Sequence, residues 1–447
     1  MVAARALSAV VRVLECAGGA LFALACEADN GVPLVRDGAH TAVMAAARAH
    51  ASNVAVVRQA CATLSCLSAA ADSRVPLVRD GAHTAAMEAV RAHRDDVDVV
   101  RAACRVLSNL SAADDNRVPL VRNGAHAAVM VAARNHSSDV EVARQACCLL
   151  YNLAGAVDNR ALLVRNGAHG AVMAAARVHS SNVEVAVWAC GTLVHLAGMV
   201  DNCVPLVRDG AHVAVMAMAR NHSGDVSVAR AACGALHFMA AAADNCVSLV
   251  RDGAHLALIT AARDHSADDD TAWIVCEALQ LLSVHYDTCE PLVRDGAHLT
   301  VTAAARDHGG DVKIIRAVWG TLRNLALAPG NAARLVRDGA HVGMTVAVQD
   351  HGGDMKVARA VCGTMRYLSF AADNAAPLVR AGVYVAVGAV AVVHAGDVLV
   401  ARAACGTLLN LSRTSDTVGM DPLVVQIVCE RHPADATVQD YCRRLGL

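Results

Sequence analysis

Residues 30–72 read NGVPLVRDGAHTAVMAAARAHASNVAVVRQACATLSCLSAAAD, and this stretch decides the fold. Asn30 is a favourable N-cap, and Pro33 falls in a first turn, where its missing N–H costs nothing. Leu34 and Val35 are the apolar residues of that short first helix, and Gly38 ends it. The pattern predicts a second helix over about 40–49, with Val43, Met44 and Ala47 on one side. Asn53 then caps a third. On this last helix Val56, Val57, Ala60, Cys61, Leu64, Leu67 and Ser68 follow the i, i+3, i+4, i+7 spacing of a buried face. No helix of this kind buries its stripe alone, so neighbouring units must stack.

The stretch repeats. The glycine of Gly-Ala-His falls at Gly38, Gly81, Gly124, Gly167, Gly210, Gly253, Gly296 and Gly339, and a ninth copy at Gly382 reads Gly-Val-Tyr. Every interval is 43 residues, so nine units fill 30–416. Residues 1–29 and 417–447 read as partial, capping repeats: Leu21 and Leu24 sit one period before Leu64 and Leu67, and Cys442-x-x-Leu445 echoes Cys61-x-x-Leu64. The expectation is an all-α fold, one solenoid over 1–447.

Three helices per unit, a glycine after the first and a long third helix resemble the armadillo repeat. The matching residues are Leu34-Val35-x-x-Gly38-Ala39 and Ala60-Cys61-x-x-Leu64-x-x-Leu67. The sub-pattern with His50 ahead of a capped third helix is similar to protist armadillo proteins and to the armadillo region of leucine-rich-repeat kinases. The resemblance implies a right-handed α–α superhelix whose third helices line a concave groove for extended peptides.

Composition excludes other classes. The chain is 55% apolar with a net charge of −2, unlike a disordered polypeptide. Eleven aromatics and nearly balanced charge do not suit a nucleic-acid binder. The longest uncharged stretch, 381–396, is 16 residues and contains His394, too short for a membrane span. A targeting peptide is not expected, because Arg12 and Glu15 interrupt the apolar run after Arg5. Only two basic residues are lysines, Lys313 and Lys356, a skew that GC-rich coding produces.

Cysteine occupies the Cys61 position in eight units, with Trp319 in the remaining one. Stacked helices lie about 8–10 Å apart, whereas a disulfide needs Cα atoms within about 7 Å, so no disulfide ladder forms there. Buried thiols imply a reducing compartment, the cytoplasm with the nucleus possible. His40 and His50 and their equivalents account for 17 of 21 histidines. Ten helical residues separate the two rows by roughly 15 Å, too far for one zinc ion. Capping of helix ends is the expected role. No metal, cofactor or catalytic constellation is read from the sequence, and enzyme activity is not expected.

The exposed face of the third helix, positions 58, 62 and 66, carries the candidate site. Position 58 is Arg in seven units: Arg58, Arg101, Arg144, Arg230, Arg316, Arg359 and Arg402. Position 62 is Gly in five units, and position 66 is Asn109, Asn152, Asn324 and Asn410 in four. The Arg row suits carboxylate or phosphate, or else it is a solvated face paired with neighbouring Asp. Trp188 in unit four and Trp273 in unit six break the pattern and are candidate anchors. Arg36 and its equivalents form a further row, expected to serve inter-repeat hydrogen bonds. The expected function is a non-enzymatic scaffold holding an extended, acidic or phosphorylated protein segment in the groove. The alternatives are a regulatory module acting with a kinase or other effector, and a His/Cys metal buffer.

Overall fold

The computed structural model describes residues 13, 16–328, 330–413 and 422–446; Arg5, Arg12 and Glu15, weighed above, lie outside them, as do 417–421. Helices account for every regular element among the described residues. Repeat 1 consists of Gly31–Arg36, Ala39–Ala49 and Val54–Leu67, close to the bounds expected from the pattern. Between the first two helices the Gly38 equivalents all take φ between 72° and 92°. That left-handed turn is open to glycine and strained for other residues, which accounts for the unbroken glycine row.

The Asp or Asn at position 53 caps each third helix; Asn53, for example, accepts from the N–H groups of Ala55 and Val56. Asn30 behaves differently from the expectation. It makes no cap, and its side-chain amide donates to Leu24 O. Its buried equivalents do the same: Asn116 reaches Leu110 O and, one repeat back, Arg74 O. This row therefore ties the end of one third helix to the next first helix, satisfying carbonyls that a helix end leaves free. In repeat 8 the second helix shortens to Met344–His351, with Gly343 standing at its N-cap.

Contacts divide the chain into two compact units, Met1–His222 and Ser223–Leu447. In each, every third helix packs on the third helix of the next repeat. The core is the stripe read from the sequence, with Val57, Cys61, Leu64 and Leu67 buried in repeat 1. Burial pushes the thiols of Cys61, Cys104, Cys147, Cys233, Cys276 and Cys362 up to about 12, so this row is chemically inert packing. Trp319 fills the same slot in repeat 7 and is buried.

Both histidine rows join repeats. His40 bonds Asp80 at 3.0 Å, His255 bonds Asp295 at 2.9 Å and His298 bonds Asp338 at 3.1 Å, each 40 residues on. Burial holds His83 and His126, which face Asn123 and Asn166, below the usual imidazole range, and does the same to His298 despite its Asp338 partner. The second row stands at the C-cap of its own helix, as expected, with the His93 N–H on Ala89 O. Its side chains add a bond across to the turn of the preceding repeat: His93 Nε2 bonds Ala51 O at 2.7 Å and His136 Nε2 bonds Arg94 O at 2.7 Å. The Arg36 row stays local: Arg79 pairs with Asp80 and Arg294 with Asp295, steadying the carboxylates that receive the histidines.

Candidate partner-binding face

The third helices present positions 55, 58, 62, 65, 66 and 69 on the face opposite the core stripe. The Arg58 row does not stand free on it. Arg58 donates to Asp96 at 3.0 Å, Arg230 to Asp268, Arg359 to Asp397 and Arg402 to Asp435; Arg101 pairs with Asp139 and Arg316 with Asp354. Each acceptor is the N-cap of the next third helix, so one carboxylate both caps its own helix and clasps the preceding repeat. Hydrogen bonds from the guanidinium groups draw Asp268 and Asp354 down to about 2. Arg144 is the exception. Its next cap is the neutral Asn182, and it turns to Glu141 at 2.8 Å and Glu184 at 3.3 Å. Burial opposes ionisation of Glu141, but hydrogen bonds from Arg105, Gln145 and Arg144 bring it to about 2.

The Asn row is engaged in the same way. Asn109 donates to Ser65 O and Ser68 Oγ, Asn152 to Ser111 Oγ, Asn324 to Ser283 Oγ and Asn410 to Ser369 Oγ. The sequence records these pairs. All four Asn follow a repeat with Ser at position 68, whereas His195, Phe238, Leu281 and Tyr367 follow Ala154, Ala197, Ala240 and Ala326.

The glycines make room for the preceding repeat. A Cβ on Gly191 would meet the Tyr151 ring at 2.8 Å, on Gly320 it would run into the Gln280 amide, and on Gly363 it would meet the Arg323 side chain at 3.0 Å. Where position 65 is small, as at Ser65 and Ser108, the next position 62 is larger, Arg105 and Cys148.

The two tryptophans differ. Trp188 is half-buried against Tyr151, whose ring centroid is 5.0 Å away, and Tyr151 in turn lies 4.8 Å from His195. Trp273 donates to Glu277, whose carboxyl burial pushes up, and Lys313 Nζ sits 5.9 Å over its ring.

Four cations on the face were not singled out from the sequence. Lys313 and Lys356 occupy position 55 of repeats 7 and 8, where repeats 2, 3 and 4 have Asp98, Glu141 and Glu184. Arg323 and Arg366 occupy position 65 of the same repeats. Among the described residues no carboxylate comes within ion-pair distance of any of the four; Arg366 donates to Tyr441 Oη at 2.9 Å and packs on that ring. The available signal was the spacing. The only two lysines in the chain are 43 residues apart.

Elsewhere, two apolar crevices of about 540 and 490 Å³ lie in one register, between the second helices of repeats 1 and 2 and of repeats 6 and 7. Alanines at their walls leave the space, and Cys61 and Cys276 floor it. Among the described residues no three His, Cys, Asp or Glu side chains converge as a metal site would require, and no single helix is long and apolar enough to cross a membrane.

No curated protein sequence matches the chain. A solved structure from work on a phosphorylation switch that controls the interaction between cadherin and beta-catenin is similar at 16% identity. It covers 96% of this chain and 98% of its own, with a TM-score of 0.52. An engineered protein aligns with 55% of this chain and 96% of its own at 17% identity and a TM-score of 0.47. Residues 21–161 match the family described as the LRRK2 ARM repeat. The 43-residue register carries the three-helix unit of that match through both stacks of helices, an all-α armadillo-type fold.

Proposed function

We propose that this protein is a non-enzymatic scaffold that holds an extended, acidic or phosphorylated segment of a partner protein, and that it does so on the third-helix face of repeats 7 and 8. The observation that carries this reading is the set Lys313, Arg323, Lys356 and Arg366, two cations on each of two adjacent third helices with no carboxylate at ion-pair distance among the described residues. Ten residues separate positions 55 and 65, about 15 Å along each helix. A strand-like segment crossing both helices meets a cation every few residues. The Arg58-type residues are a poorer receptor. A carboxylate arriving there only replaces a preorganised Asp, and the exchange returns little net energy. Fifteen free cysteines against one disulfide, Cys429–Cys442, among the described residues favour a reducing compartment, with the cytoplasm or nucleus as the place of action.

The test is fluorescence anisotropy with a labelled polyglutamate peptide, with polylysine as the control. Reversal of all four cations to Glu should weaken binding by at least about 100-fold, at unchanged helicity. Retained binding would sink the assignment. A second reading follows from the family match over residues 21–161, a regulatory module acting with a kinase or other effector. Co-purification from cells with a kinase, abolished when repeats 1–3 are deleted, would favour it.

A further inference from the structure

Along the array, the cysteines of the Cys61 row are buried in helix packing and too far apart to join. The two ends differ. At one, Cys429 and Cys442 are linked by a disulfide within the last partial repeat. At the other, Cys26 and Cys66 are free thiols whose sulfurs lie 2.9 Å apart. Cys26 closes the helix Cys16–Cys26 and is exposed; Cys66, 40 residues on, sits half-buried in the third helix of repeat 1. Moving from that separation to a bond of about 2.05 Å takes less than 1 Å of side-chain motion.

We propose that Cys26 and Cys66 form a redox-active dithiol that closes into a disulfide on meeting a small-molecule disulfide oxidant, a modification separate from the acidic-segment reading. The Cys26 thiolate attacks one sulfur of oxidised glutathione, forming a mixed disulfide and releasing one glutathione thiolate. Cys66 then gives up its proton and attacks the Cys26 sulfur, releasing the second glutathione. Two protein thiols and one small disulfide become one protein disulfide and two small thiols, and the two electrons pass to the oxidant. Burial, and then the neighbouring Cys26 sulfur, push the Cys66 thiol up to about 12, so exposed Cys26 is the thiol that meets the oxidant, and the second step draws on Cys66 lying 2.9 Å from the Cys26 sulfur. The product staples the N-terminal helix to repeat 1.

The test uses the full chain in glutathione buffers of increasing oxidised fraction, with alkylation and non-reducing peptide mass spectrometry. A linked peptide containing Cys26 and Cys66, two hydrogens lighter than its parts and released by dithiothreitol, is the expected result. In Cys66→Ser the mixed disulfide should accumulate on Cys26, at least tenfold over the unmodified chain's level. In Cys26→Ser, Cys66 should remain reduced. If Cys26 and Cys66 both stay alkylatable in buffers that keep Cys429 and Cys442 joined, or if each carries its own glutathione, the proposal fails.

Discussion

The third-helix faces of repeats 2–4 and of repeats 7–8 share a backbone plan and differ in what it leaves over. In the first region Asp98, Glu141 and Glu184 stand at position 55, and the arginines around them are matched: Arg105 to Glu141 at 2.7 Å, Arg144 to Glu141 and Glu184. In the second, position 55 is Lys313 and Lys356, position 65 adds Arg323 and Arg366, and among the described residues no carboxylate lies within ion-pair distance of them, although Lys356 acts on the Glu277 carboxyl through its charge. The clasp itself is present in both, as Arg101 to Asp139 and as Arg316 to Asp354. The Arg–Asp clasp thus recurs in both regions, with Arg144 as an exception, and the proposed recognition falls on positions the clasp does not use.

An exchange of position 55 tests this most severely. Lys313→Glu with Lys356→Glu should cost polyglutamate binding on the order of 100-fold, the combined loss of two charge-assisted contacts. The reverse exchange, Asp98→Lys with Glu184→Lys, should create weak binding in repeats 2–4; Glu141 is left in place because three side chains depend on it. Neutralising the clasp, by Arg316→Gln with Arg359→Gln, should change binding less than about threefold while lowering the melting temperature. Equal losses from the clasp and from the lysines, read by anisotropy, would erase the distinction between the regions.

Acid should act on both regions together. Glu141, Asp268, Asp295 and Asp354 are each held near 2 in the folded chain, below the usual carboxylate value of about 4. Folded values below unfolded ones mean that this stability is fully present above pH of about 4. It is lost as the pH falls toward 2. Circular-dichroism melts between pH 5 and 2 should show the decline, and it should be shallower in Asp354→Asn, which keeps the cap and gives up the charge. An unchanged slope in that variant would mean the clasp contributes nothing to folding.

The glycines of the two regions should answer one substitution in opposite directions. At Gly191 a methyl group would meet the Tyr151 ring at 2.8 Å, and that ring is held between Trp188 and His195. Gly191→Ala should therefore destabilise by about 1–2 kcal/mol through overpacking. At Gly363 the nearest atom is Arg323 Cδ at 3.0 Å, in a flexible side chain that can move aside. There Gly363→Ala should stabilise by about 0.5 kcal/mol, most of the usual helix preference for Ala, and weaken peptide binding by shifting Arg323. Urea melts of the two variants read the signs directly.

The architecture was legible because a 43-residue period and a core stripe are properties of a single strand of text. The caps at position 53 were legible for the same reason. The Arg row's pairing with neighbouring Asp was one of two readings left open, and the roles of the Gly and Asn rows were not legible, because each was read down one helix while its partner lies in another. Arg58 reaches 38 residues to Asp96, and Asn109 reaches 41 back to Ser68. The Asn30 row was mistaken for a cap since a helix start and a carbonyl six residues back look alike in sequence. Lys313 and Lys356 were noticed, but as coding bias, although their spacing already placed them on one face.

The smallest effect bears on whether the joint is truly the same everywhere. Asn152 and Ser111 join repeats 2 and 3, and Asn324 and Ser283 join repeats 6 and 7, with Nδ2 to Oγ distances of 3.0 and 3.1 Å. Asn324→Ala removes the donor and leaves a serine hydroxyl without it, at a cost of about 1 kcal/mol. Adding Ser283→Ala should return part of that loss, since the chain itself places Ala at position 68 wherever the following Asn is missing. The double-mutant cycle should give a coupling of about 0.5–1 kcal/mol. The same cycle on Asn152 and Ser111 should agree with it to within about 0.3 kcal/mol. A coupling present in one region and absent in the other would mean the joint, and not only the surface it supports, has diverged along the array.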